Sequence, residues 1–142
     1  MVVREKGKST MVPKVFHGVV LAVILAYALP EQVGAQTPWV APASEKGKKS
    51  PIAASSKVAE QGKKVAQVNC VSCHGKAGKG DGAAAMALNP KPADWTSRKI
   101  QDESDGELFW KITTGRGAMP AWRHLPESDR WALVQHIRTL KK

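Results

Sequence analysis

Hydrophobic and polar positions alternate along this chain with a helical rhythm in three places. In the first, Val58, Gly62, Val65, Ala66 and Asn69 fall on one face of a segment running from about Lys57 to the Cys70 region. Ser55 or Ser56 stands ready as its N-cap. The second begins at Ser104-Asp105-Gly106-Glu107, a capping-box pattern with Ser at the cap and Glu three residues on. It turns Leu108, Phe109 and Ile112 inward and stops near Gly115, a natural residue just past a helix end. The third follows Pro126. Glu127, Ser128 and Asp129 suit the positive end of its dipole, and Trp131, Val134, Ile137 and Leu140 recur at helical spacing. Nothing alternates with the period of a strand. The joining segments are rich in Gly and Pro, so the pattern predicts an all-α domain with long loops.

A fourth apolar stretch has no polar face. Gly18 to Leu29 (GVVLAVILAYAL) is an uncharged run of 12 residues, preceded by Arg4, Lys6, Lys8 and Lys14 and ended by Pro30. It has the length of a signal-peptide core and is short for a bilayer span. Val33-Gly34-Ala35 offers small residues for cleavage after Ala35, and Met11 offers an alternative start. The expectation is a cleaved export signal over residues 1–35; retained, the same segment is a membrane anchor. Residues 36–56, rich in Pro, Ala, Ser and Lys, read as a flexible linker whose one odd residue, Trp39, either docks on the domain or stays exposed. The folded domain is expected over residues 57–142, small enough that a bulky apolar cofactor would help to complete its core.

The full chain carries 22 Lys and Arg against 12 Asp and Glu. Loss of residues 1–35 leaves 18 against 10, a net charge of +8. Only two cysteines occur, both in NCVSCH at residues 69–74, which excludes a disulfide-rich scaffold and a four-cysteine zinc site. An exported chain meets an oxidising compartment, where thiols end as a disulfide, a metal site or a covalent adduct. Cys70-x-x-Cys73-His74 is the attachment pattern of a c-type haem. Two thiols at that spacing reach the two vinyl groups of one haem edge, and the adjacent histidine presents a nitrogen to iron. A redox dithiol calls for a preceding strand and a parallel sheet. Zinc calls for about four ligands, and Cys70, Cys73 and His74 supply three. A bare disulfide leaves His74 without a role.

The sixth iron position has four candidates, Met86, Met119, His124 and His136; His17 departs with the signal. Met119 lies in GRGAMPAW, where glycines prevent helix and Pro120 fixes the backbone immediately after it. It is the preferred ligand, with His124 as its rival. Met86 in AAAMAL reads as an apolar contact, and His136 as a packed helix residue.

These pieces together resemble a class I monohaem cytochrome c of the small bacterial kind. GKKVAQVNCVSCHG, GKGDG, LNPKPADW, SDGELFWKITTGRGAMPAW and LPESDRWALVQHIRTL carry the resemblance across nearly the whole domain. It implies one covalent haem c wrapped by crossing N- and C-terminal helices. Gly62 would sit at that crossing, with His136 at the position where the family has an aromatic. The resemblance also implies that Pro90 or Pro92, with Pro90 preferred, offers a carbonyl to the second nitrogen of His74. Trp95 would reach a haem propionate or pack in the pocket, and Arg116 would pair with a propionate or remain solvated. Trp110 and Trp122 would be pocket wall or core.

With both axial positions filled, the expected function is outer-sphere electron transfer in the periplasm, not catalysis. Asp81, Asp94 and Glu107 are scattered and make no acid–base pair. Lys63, Lys64, Lys76 and Lys79 would flank the haem edge and steer the protein to redox partners with acidic docking surfaces, or simply keep it soluble. The compartment and the lack of any other signal argue against nucleic acid. Alternatives are a tethered cytochrome subunit of a larger, membrane-bound respiratory complex, and a haem enzyme or gas sensor with a labile sixth ligand.

Overall fold

The computed structural model describes residues 37–142; the expected export segment, its cleavage site and His17 lie outside them. Trp39–Lys142 forms one compact unit. Its α-helices are α1 (Ala43–Lys46), α2 (Ser56–Asn69), α3 (Val71–His74), α4 (Arg98–Gln101), α5 (Asp105–Thr114) and α6 (Glu127–Thr139), with a 3₁₀ turn at Ala85–Ala87. Among the described residues there is no sheet, only an isolated bridge between Arg116 and Met119. No described helix is long and apolar enough to cross a membrane.

Two of the three long helices, α2 and α5, begin at side-chain caps, whereas α6 follows Pro126 without one. The Ser55 hydroxyl accepts from Val58 N at the start of α2. At α5 the capping box is complete: Ser104 Oγ accepts from Glu107 N, and Glu107 accepts from Ser104 N at 2.8 Å. Gly115, at φ 63°, ends α5. Its Cβ position would fall 2.5 Å from the Met119 carbonyl oxygen, so a side chain there has neither the dihedral nor the space.

α2 and α6 cross in close contact. A Cβ built on Gly62 would stand 1.9 Å from the Ala132 carbonyl oxygen. The residue facing Gly62 is therefore Ala132, not His136. A small residue on each helix brings the backbones together where an aromatic would hold them apart. His136 is buried one turn further along. Leu133 and Val134 fill the interior fully, and Phe109 stacks on Trp131 with centroids 4.0 Å apart.

The linker expected over residues 36–56 is not free. Residues 39–54 lie on the domain as a strap, and the compact unit starts at Trp39 instead of Lys57. Trp39 meets Trp110 at 6.4 Å, with the Lys111 ammonium over its ring, and Ala41 is buried. The Glu45 carbonyl lies so close to Gly106 that a Cβ there would sit 1.9 Å away. Lys46 pairs with Glu107, and Gln135 donates to the Ile52 carbonyl while accepting from Ser55 N. Glu45, Ile52 and Ser55 are held through backbone atoms, a kind of attachment that composition does not reveal.

Candidate functional site

The cysteine-histidine motif is a single helical turn, α3, entered straight from α2 through Cys70. One turn leaves its carbonyls without partners inside the helix. The following Gly-rich loop supplies them all. Gly75 N donates to the Val71 carbonyl, Ala84 N to Ser72, Gly82 N to Cys73 and Gly80 N to His74, at 2.9–3.1 Å. The glycines permit that approach. Gly75, Gly78 and Gly80 have φ of 76°, 69° and 73°. A Cβ on Gly82 would lie 2.4 Å from the Ser72 carbonyl oxygen, and one on Gly80 would lie 2.3 Å from that of Pro92.

His74 is held on one edge and one face. Its Nδ1 is 3.1 Å from the Ala93 carbonyl oxygen, to which it donates, leaving the Nε2 lone pair for a ligand. Trp95 stacks on its ring at 4.4 Å and 22°. The acceptor is thus Ala93, and the assignment to Pro90 or Pro92 is corrected. The physical reason is the anchoring of the loop: Trp95 N donates to the Gly78 carbonyl at 2.7 Å, and the Pro92 carbonyl is turned against Gly80. Burial lowers the His74 pKa below the ordinary imidazole value, with the Ala93 bond opposing it.

Cys70 and Cys73 are both free thiols. Burial, reinforced by the neighbouring Cys73, pushes the Cys70 thiol up to about 11. Among the described residues, no three His, Cys, Asp or Glu side chains converge to hold a bare metal ion. Two unpaired thiols beside an imidazole oriented through Nδ1 fit a haem attached through sulfur, and they do not fit zinc.

The Met119 loop approaches the same core from α5. Arg116 and Met119 exchange both backbone hydrogen bonds, at 2.8 and 3.0 Å, around Gly117 at φ 57°. Trp122 N donates to the Ile112 carbonyl, tying the loop to the end of α5. Met119 and Trp122 pack against the apolar cluster that contains Cys70 and Trp95. The other sixth-ligand candidates lie elsewhere. His124 is exposed beside Trp122, and His136 is buried in α6, where burial and then Lys63 lower its pKa. Met86 is 92% exposed, so the apolar contact expected of it is absent within the described residues. Arg116 is half-buried, and Trp110 meets the strap at Trp39. Of the flanking lysines, Lys63 is paired with Glu60 at 3.7 Å; Lys64, Lys76 and Lys79 are exposed.

An all-α domain that clamps a CxxCH turn and orients its histidine in this way defines a c-type cytochrome domain. Residues 57–137 match the family model described as cytochrome c oxidase, cbb3-type, subunit III, and the chain belongs to that family. It is similar to the cbb3-type cytochrome c oxidase subunit CcoP of Azospirillum brasilense, at 33% identity over 84 residues, 58% of this chain and 28% of that protein. Among solved structures it is similar to a chain of the reducing HAO-like protein complex of Kuenenia stuttgartiensis. That match has a TM-score of 0.59 and 27% identity, covering 66% of this chain and 48% of the other. The chain thus spans little more than a quarter of the curated relative and about half of the structural one. The strap lies outside the family match. The family is one of haem-carrying electron-transfer subunits, not enzymes, and its haem is covalently bound.

Proposed function

We propose that this chain is an exported, periplasmic cytochrome that carries one electron on a single haem c. Cys70 and Cys73 would hold the haem through thioethers, and His74 Nε2 and Met119 Sδ would ligate its iron. The bound haem supplies a one-electron iron couple. The protein supplies the rest: Ala93 and Trp95 fix the His74 ring, the Gly-rich loop fixes the motif turn, and the core excludes water. The observation that carries this reading is the His74 Nδ1 bond to Ala93, because a ring that donates through Nδ1 keeps its lone pair on Nε2 for a ligand. The partners are redox proteins whose acidic surfaces meet the exposed lysines.

A second reading makes the domain a fixed subunit of a larger respiratory assembly. The docked strap favours it, together with the two relatives, a named oxidase subunit and a named protein complex. Intact mass under denaturing conditions tests the central claim on protein exported with haem-attachment machinery present. The expected mass is that of residues 36–142 plus one haem. A mass without haem overturns the proposal. Stable copurification of other chains would favour the subunit over the free carrier.

A further inference from the structure

We infer that Gln101 is a positioning residue for the axial histidine, an inference that rests on the reading of His74 as an iron ligand. Gln101 ends α4. Its Nε2 donates to the Trp95 carbonyl at 2.7 Å and to the Ile137 carbonyl at 2.9 Å. Two carbonyl acceptors fix the amide: turned over, its oxygen would face both of them. The Gln101 backbone is fixed as well, since Arg138 Nη1 donates to its carbonyl at 3.0 Å. The side-chain Oε1 is buried with no partner among the described residues. An amide that satisfies two backbone acceptors and leaves its own buried oxygen unsatisfied is placed for those acceptors.

What it fixes is Trp95. That residue is bonded at its N–H to Gly78 and at its carbonyl to Gln101, and its ring lies on His74. The Ala93 carbonyl, two residues earlier on the same segment, accepts the His74 Nδ1–H hydrogen bond. The face and the edge of the imidazole are therefore both set by residues 93–95, and Gln101 ties that segment to α6 at Ile137. α6 packs on α2 at Gly62, and α2 runs directly into Cys70. Gln101 closes a ring of contacts that holds the histidine in register with the thiols.

The test compares Gln101→Met, which keeps length and removes both hydrogen bonds, with Gln101→Glu, which keeps shape but has no donor once ionised. Gln135→Met is the control, because Gln135 is also a bridging amide on α6, half-buried, but lies at the strap. The readouts are haem content, reduction potential, the paramagnetic NMR shifts of the His74 ring in the oxidised protein, and exchange of its Nδ1–H in the reduced protein. Both Gln101 variants should keep the haem, shift the potential and the ring signals, and exchange Nδ1–H at least about tenfold faster, since two hydrogen bonds are lost. Gln135→Met should lose melting temperature alone. Gln101 variants that only melt earlier, with the His74 signals and potential of the wild type, overturn the inference. Should a Gln101 variant fail to fold, the other supplies the same comparison. Absence of haem or of iron-shifted His74 signals in the wild-type protein would instead overturn the ligand reading beneath it.

Discussion

Gly62 of α2 lies against the backbone of Ala132 in α6 with room for a hydrogen and nothing more; a methyl carbon would sit 1.9 Å from the Ala132 carbonyl oxygen. In an exposed helix, Gly→Ala gains roughly 1 kcal/mol from propensity. Here the obstacle is another helix's backbone, which cannot rotate aside. Gly62→Ala is expected to destabilise by about 1–3 kcal/mol despite the better propensity. Urea unfolding midpoints of the two proteins measure it.

The loop that caps the motif turn makes a second case. Gly82→Ala puts a methyl group against the Ser72 and Val71 carbonyls, at 2.4 and 2.5 Å. The expected outcome is lower haem incorporation during export, because the turn carrying Cys73 and His74 loses its partner strand of amides. Haem per polypeptide, by absorbance and mass, checks this. Gly117→Ala leaves the space around residue 117 open but meets the positive φ, so its effect should be confined to the Met119 loop.

Thioether ligation favours reduced iron. Met119→Ala should lower the reduction potential and let the reduced protein take up carbon monoxide, which the wild type should not bind. His124→Ala, altering an exposed ring, should leave both unchanged. Carbon monoxide binding by the wild type would support the gas-sensor or enzyme alternative and count against Met119.

Gly106 seats the Glu45 carbonyl of the strap. Gly106→Ala is expected to lift residues 39–54 without disturbing the α2–α6 crossing. Limited trypsin digestion should then cut after Lys46, Lys48 or Lys49 at least about tenfold faster than in the wild type, as expected for local opening made easier by some 1.4 kcal/mol. Equal rates would show that the strap is already open.

The Glu107 carboxyl titrates below its ordinary value of 4.5, chiefly through its bond to the Ser104 backbone, with Lys46 adding to the shift. A carboxyl with a depressed folded-state pKa contributes stability above the unfolded value and loses it as pH falls through the folded one. Melting temperature should therefore fall between pH 5 and about pH 3. Glu107→Gln keeps a capping side chain but cannot titrate, so its profile over that window should be flatter.

The three long helices were legible from their periodicity, joined by capping chemistry at Ser55 for α2 and at Ser104, Glu107 and Gly115 for α5, and by the acidic first turn of α6. The motif was legible because two thiols and a histidine at fixed spacing have few uses. The Ala93 acceptor was not, since any residue offers a backbone carbonyl and the side chain leaves no trace. The same reason hid the strap: Glu45 and Ile52 dock it through main-chain oxygens, in a stretch whose composition reads as solvated. Gln101 carried no signal either, because its two acceptors come from residues 6 and 36 positions away. The crossing was half legible. Gly62 announced a close approach, but which residue it approached depends on the rotation of α6.

The docked strap also sets the length of the domain's leash. Counted from Pro30, where the apolar run ends, the 27 residues 30–56 would pay out about 90 Å of extended chain if all were unsecured; with Trp39 as the first secured residue, nine residues and about 30 Å remain. Should the apolar N-terminal segment be retained in a membrane, the first length would let the haem range between distant partners. The second would pin it near one spot, so that electrons must be delivered to a stationary relay and collected from it.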